Sequence, residues 1–164
     1  MEMDDIKNSI LKTGTTIVGI VCKDGVVMAA DRQSTAGTII MNKDAEKIKL
    51  VNNYLAFAGT GMVADIQRAV KVVAAELRLK ELHSKSMPSV RNGAGLISMM
   101  VYNSVRQPTM LPFTVGSLVG GVNEDGTAEL FSIDPAGGVS MVQNYDANFG
   151  SGMPFVLGLL ERLY

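Results

Sequence analysis

Histidine occurs once, cysteine once and tryptophan not at all. A single cysteine, Cys22, cannot close a disulfide within the chain, which fits a reducing cytoplasm. With His83 as the one histidine, a zinc site built from Cys and His is excluded. Any Ser-His-Asp or Cys-His catalytic set would have to use His83. That residue sits in the polar stretch Leu82-His83-Ser84-Lys85, which has the character of a solvated helix end. No apolar run reaches the roughly 18 residues of a membrane span. The first dozen residues carry Glu2, Asp4, Asp5, Lys7 and Lys12, too many charges for a signal peptide. Charged residues make up only 19% and the formal net charge is -1, so no basic footprint for nucleic acid or an anionic membrane is present.

What is present is apolar. Such residues make up 47% of the 164, with 11 methionines. That excludes disorder as the main state and suits one domain with a sizeable core. The surplus fits surface buried in an oligomer as well as a rich interior.

Beyond a polar start, the chain reads as strands, helices, strands and a final helix. Thr15 to Cys22 is β-branched and apolar, and Lys23-Asp24-Gly25 turns it back into Val26 to Ala30. Thr38 to Met41 and Lys47 to Val51 are expected as a further pair, and Tyr54 to Ala58 as a short strand stopping at Gly59. From Ala64 to His83 the period becomes helical, with Ile66, Val70, Val73 and Leu77 on one face. A second helix is expected from Ser89 to Gln107, weakened by Gly93 and Gly95 and ended by Pro108. Phe113 to Val122, Thr127 to Ile133 and Val139 to Val142 read as strands. Gly116, Gly120 and Gly121 within the first of them mark close backbone approach. A third helix opens near Ser151, an N-cap candidate with Pro154 just inside. The layout is α+β with antiparallel meanders.

The chemistry available is limited. Gly59-Thr60-Gly61 precedes a helix but lacks the third glycine and basic residue of a phosphate loop. Gly14-Thr15-Thr16 is different, because it closes a polar leader. If the Gly14–Thr15 bond is cut, Thr15 offers a hydroxyl and a free α-amine on one residue. Such an amine has a pKa of about 7.7–8.0, close to the working pH of a general base. A threonine served by its own amine is a known nucleophile, and it needs no histidine. Glycine before it leaves the carbonyl open to the adjacent hydroxyl.

Thr13-Gly14-Thr15-Thr16-Ile17-Val18-Gly19-Ile20 resembles the cleavage site and first strand of proteasome β subunits, especially archaeal ones. Gly25 to Arg32, Glu46-Lys47-Ile48, Ala58-Gly59, Ala64 to Gln67, Val119-Gly120-Gly121, Phe131 to Asp134 with Gly137-Gly138, and Gly150-Ser151-Gly152 with Pro154-Phe155 match in order and spacing. The match covers Thr13 to Tyr164. It implies an N-terminal nucleophile hydrolase, a four-layer αββα sandwich of two antiparallel sheets between helical layers. It further implies residues 1–14 as a propeptide removed by self-cleavage and residues 15–164 as the hydrolase domain. Family members continue past the position of Tyr164, through strands carrying a further Asp and Ser. The chain is therefore expected to be a C-terminally incomplete member.

Carried over by position, Thr15 resembles the nucleophile, Asp31 and Lys47 the charged pair beside it, and Gly59 the oxyanion-binding residue. Ser151 resembles the serine that bonds the nucleophile's amine. Thr35 resembles a residue that pairs with substrate backbone, and Phe57 falls at the first specificity pocket. Without the resemblance, Asp31 and Lys47 read as a surface pair, Gly59 as a strand-to-helix turn and Ser151 as a helix cap. The implied activity is threonine endopeptidase action on unfolded polypeptide, with no metal or organic cofactor. The implied partners are β subunits in heptameric rings, α-type proteasome subunits and a regulatory unfoldase ATPase. The rival reading is a non-catalytic ring subunit or an inactive truncated relative. Other N-terminal nucleophile hydrolases, the simpler bacterial protease or a small-amide hydrolase, are a third class.

Overall fold

The computed structural model describes residues 14–36, 39–107, 115–147 and 150–164. Most of the expected leader, together with Thr38, Pro108 and Phe113, lies outside them.

The β-branched run after Thr16 forms β1, Ile17–Cys22, and the Lys23-Asp24 turn returns it as β2, Gly25–Ala30. The hairpin is in register from Ile17↔Ala30 to Cys22↔Gly25. The next strands pair differently from expectation. β3, Ser34–Ala36, pairs with β4, Ile39–Asn42. β5, Ile48–Leu50, pairs instead with β6, Leu55–Gly61. β6 also continues through Gly59-Thr60-Gly61 where a turn was expected. The reason is β7, Val115–Val122, which stays in register with β6 from Leu55↔Gly121 to Gly61↔Val115. Long-range pairing thus overrides the local turn character of two glycines.

The helical period yields α1, Val63–Ser84, and α2, Val90–Arg106. Ser89 caps α2 and shares a capping box with Asn92. Gly93 costs α2 some helix propensity but admits a neighbour: a Cβ there would come 2.6 Å from Leu55 Cδ2. β8, Ala128–Ile133, and β9, Val139–Val142, follow β7 as a meander, and a short β10, Tyr145–Asp146, returns to pair with β1. α3 spans Met153–Leu163, with Pro154 in its first turn. Its N-cap is Gly152 and no side chain caps it, so Ser151 is not the N-cap expected.

The order β5-β6-β7-β8-β9 makes one sheet and β10-β1-β2 a second, with β3-β4 a separate ribbon. Strand alternation gives the five-stranded sheet two apolar faces. Leu55, Phe57, Val115, Val119, Phe131 and Ile133 face α1 and α2 in one core. Ala58, Leu118 and Leu130 face the other way and meet Ile17 of β1, with Val26 and Met28 of β2 packed beside them. α3 lies against β1. The layers therefore run helix, sheet, sheet, helix, the αββα sandwich expected.

Close approach is built into β7. A Cβ on Gly120 would come 2.8 Å from Val26 Cγ1 in the facing sheet. One on Gly121 would overlap the Tyr54 carbonyl oxygen and reach 3.2 Å from Leu55 Cα. Backbone cannot yield as a flexible side chain can. Gly121→Ala is therefore expected to lower stability by about 1–3 kcal/mol. Gly95, in α2 with nothing near its missing Cβ, is the opposite case: Gly95→Ala should raise stability by about 0.5–1 kcal/mol. Denaturant unfolding of both variants checks the pair, and a neutral Gly121→Ala would contradict the packing described.

Candidate active site

The end of the first hairpin brings the first two groups together. Because Ile17 pairs with Ala30, Thr16 and Asp31 face each other one step further on. The Asp31 N–H donates to the Thr16 carbonyl at 3.1 Å, and the Thr16 N–H donates to Asp31 Oδ1 at 2.6 Å. The Gln33 N–H donates to Asp31 Oδ2 at 3.0 Å. These bonds fix a carboxylate beside Thr15.

Lys47 arrives from the five-stranded sheet, immediately before β5. The Ile48↔Ala58 pair that ends the β5–β6 ladder sets it abreast of Gly59. Its ammonium donates to both Asp31 oxygens at 2.9 Å. The same nitrogen lies 3.1 Å from Thr15 Oγ1 and 3.1 Å from the Gly14 carbonyl oxygen. Thr15 is 7% exposed, and the Lys47 side chain only 10%. Burial pushes the Asp31 carboxyl up, but the hydrogen bonds from Lys47, Thr16 and Gln33 and the charge of Lys47 outweigh it. The carboxyl is held below the ordinary aspartate range.

The segment before α3 closes over the same spot. A Cβ on Gly150 would overlap the Thr15 carbonyl oxygen, and one on Gly152 would overlap Thr16 Oγ1. Two glycines thus let backbone lie directly on Thr15 and Thr16. Ser151, between them, points its hydroxyl at the Thr15 carbonyl oxygen from 3.5 Å, long for an O–H···O bond.

A cavity of about 520 Å³ opens beside Thr15, between β5, β6 and the start of α1. Thr35 lines it, and Gly14 Cα packs near its hydroxyl: a Cβ on Gly14 would lie 3.5 Å from Thr35 Oγ1. Phe57 does not line it. That ring is 0% exposed in the core under α1, because it alternates onto the buried face of β6. It instead underlies Gly59, whose Cβ would come 2.8 Å from the ring.

Gly61 is the residue that sequence reasoning missed. It ends β6 with φ 133°, a backbone state that favours glycine, and it lines the cavity. The Val122 N–H donates to the Tyr54 carbonyl, so the hydrogen-bonded pairs of β6 and β7 fall on the even residues of β6. Gly59 and Gly61 therefore turn their N–H groups away from β7. At Gly59 the register directs that group toward the backbone of Lys47. Gly61 lies beyond the last β5–β6 pair, on the open side. The available signal is the Gly59-Thr60-Gly61 sequence itself, in which the resemblance points to the first glycine rather than the second.

This arrangement combines a sheltered hydroxyl, a shared ammonium, an anchored carboxylate and a carbonyl carbon on the residue next to the hydroxyl. It suits nucleophilic attack by Thr15 on an amide. Among the described residues, no helix is long and apolar enough to cross a membrane.

The family model described as Proteasome subunit matches residues 11–164. A proteasome subunit beta of Methanopyrus kandleri is 40% identical over 154 residues, 94% of this chain and 71% of that one. The proteasome subunit beta of Thermoplasma acidophilum is 40% identical over 157 residues, covering 96% and 71%. Proteasome subunit beta 1 of Thermococcus gammatolerans is 41% identical over 149 residues, covering 91% and 70%. With the family model matched over residues 11–164 and relatives of about 40% identity over most of the chain, the chain belongs to the proteasome subunit family.

Proposed function

We propose that this chain is a β-type subunit of a proteasome core particle and a threonine endopeptidase, with Thr15 as its nucleophile. The observation that carries the reading is the Lys47 ammonium, held at 3.1 Å from both Thr15 Oγ1 and the Gly14 carbonyl oxygen. The relatives' names support the assembly with other proteasome subunits. Heptameric rings, α-type subunits, an unfoldase ATPase and a cytoplasmic location belong to the same proposal. The contact between Thr15, Asp31 and Lys47 weighs against a non-catalytic ring subunit.

Two reactions follow. In the first, Thr15 Oγ1 attacks the Gly14 carbonyl carbon through a five-membered ring. The C–N bond breaks, the nitrogen takes the hydroxyl proton, and an ester joins Gly14 to Thr15. Water hydrolyses that ester, releasing residues 1–14 and leaving Thr15 with a free amine. In the second, the amine accepts the Thr15 hydroxyl proton as Oγ1 attacks a substrate carbonyl, then delivers it to the leaving nitrogen. Water, deprotonated by the same amine, resolves the acyl-enzyme. Lys47 stabilises negative charge on Oγ1, and Asp31 holds the ammonium in place beside it. The Gly61 N–H, on the open side of β6, is the better placed oxyanion donor, with Gly59 behind it directed at Lys47. Thr35 borders the path along which Gly14 enters, so it is suited to pair with substrate backbone.

Thr15→Ala is expected to abolish both loss of residues 1–14, read by intact mass, and hydrolysis of fluorogenic peptides. Robust hydrolysis by that variant would sink the mechanism. Lys47→Ala should keep the fold and lower kcat by about 10²–10⁴; a normal rate removes Lys47 from the site.

The pH dependence has a definite sign. A carboxyl with a depressed folded-state pKa stabilises fully above its ordinary value, 3.8 for aspartate, and the contribution vanishes as pH falls through the lower folded value. Asp31→Asn should therefore cost stability at neutral pH, and the gap from wild type should close in acid. Thermal unfolding from pH 7 down to about 2 tests it; a gap that stays constant contradicts the bonding of Asp31.

A further inference from the structure

The cavity beside Thr15 holds a charge that the cleavage chemistry leaves unused. Three charged side chains line it: Glu46, Lys47 and Lys49. Lys47 is committed to Asp31. Lys49 is ion-paired with Glu46, three residues earlier. The two partners are unequally placed. The Lys49 side chain is 30% exposed and that of Glu46 69%, so the lysine is the more sheltered of the two.

Strand register explains why the cation faces the cavity. Lys49 pairs with Phe57, and Lys47 lies abreast of Gly59. Side chains at these positions share the face of the sheet that meets α1. Gly59 confirms the side: a Cβ there would reach 3.2 Å from Ile66 Cγ1 of α1. The space at Gly59 is taken by the Phe57 ring and Ile66, and Lys49, Ile66 and Gln67 line the cavity beside it. An ammonium has three donors. Glu46 engages it from one side, so a second carboxylate can be accepted without displacing the first.

We propose that Lys49 selects acidic substrates: Thr15 preferentially attacks the carbonyl of a Glu or Asp residue, whose side-chain carboxylate meets the Lys49 ammonium in the cavity. This rests on the reading of Thr15 as nucleophile. With the reacting carbon at Thr15 Oγ1 and its oxygen turned to the Gly61 N–H, the side chain of that same residue enters the cavity. A Lys or Arg there meets two cations, while Glu46 is largely exposed and screened by water. A Leu fits the apolar wall but leaves the ammonium partly desolvated without a new partner.

The test compares kcat/KM for fluorogenic peptides that differ only in Glu, Leu or Arg at the cleaved position. It uses the assembled protein as wild type, Lys49→Gln and Glu46→Gln, with Thr15→Ala as control. Wild type should prefer Glu over Leu, and Leu over Arg. Lys49→Gln should lower the Glu-to-Leu ratio about tenfold. Glu46→Gln should raise it, since the ammonium loses a competing carboxylate. Cleavage after Leu that depends on Thr15, with a Glu-to-Leu ratio unmoved by Lys49→Gln, overturns this inference and leaves the nucleophile reading standing. If Lys49→Gln fails to fold, an unchanged or lower ratio in Glu46→Gln overturns it equally. Peptide cleavage that survives Thr15→Ala, or no cleavage by wild type, defeats the nucleophile reading and this inference together.

Discussion

One ammonium group organises the site. Lys47 is almost fully sheltered, with 10% of its side chain exposed. A sheltered charge is costly unless it is paired and its donors are used. Here the carboxylate of Asp31 supplies the counter-charge, and Thr15 Oγ1 and the Gly14 carbonyl take the remaining directions. Asp31 is in turn held by two backbone N–H groups, from Thr16 and Gln33. Removing one member therefore leaves the others short of partners, which is why the residues act as a unit rather than as separate contributors.

That unit exists because two sheets stack. Thr15 and Asp31 come from the two ends of one hairpin, and their spacing is set by its terminal pair, Ile17↔Ala30. Lys47 comes from the other sheet, set by Ile48↔Ala58. A slip of one residue in either ladder would turn Asp31 or Lys47 to the opposite face. The small apolar cluster of Ile17, Ala58, Leu118 and Leu130 between the sheets fixes their separation. Gly120 permits the approach, since any side chain there would strike Val26. Packing remote from the chemistry thus sets the 3.1 Å distances at the nucleophile.

Much of this was legible in the sequence, and the parts that were not share a cause. The first hairpin and both long helices follow from local patterns: β-branched residues around an Asp-Gly turn, and Ile66, Val70, Val73 and Leu77 at helical spacing. The site triad of Thr15, Asp31 and Lys47 came from resemblance, since nothing local distinguishes Asp31 and Lys47 from a surface pair. β3 and β10 are too short to leave a signal. The pairing of β5 with β6, and the extension of β6 through Gly59-Thr60-Gly61, depend on β7 more than fifty residues away. The resemblance places Phe57 at the first specificity pocket, whereas it lies in the core, because the face of a residue is decided by register, which composition does not specify. The residue type of Ser151 suggests a helix cap. The helix begins later because Gly150 and Gly152 are held against Thr15 and Thr16.

The same ammonium also bears on why an uncut chain and a cut one would differ in activity. In the uncut chain its donors are distributed among Asp31, Thr15 and the Gly14 carbonyl. An ammonium offers three donors, so little hydrogen-bonding capacity is left for a substrate. On the proposed mechanism, cutting after Gly14 changes three things at once. It removes the carbonyl that engages Lys47, it opens the path past Thr35 that Gly14 had filled, and it converts an amide nitrogen without basicity into an amine that accepts protons near neutral pH. The Asp31–Lys47 pair does not depend on the bond that is cut. A site built this way keeps its electrostatics constant while the base and the access route appear together, which is why it can dispense with histidine.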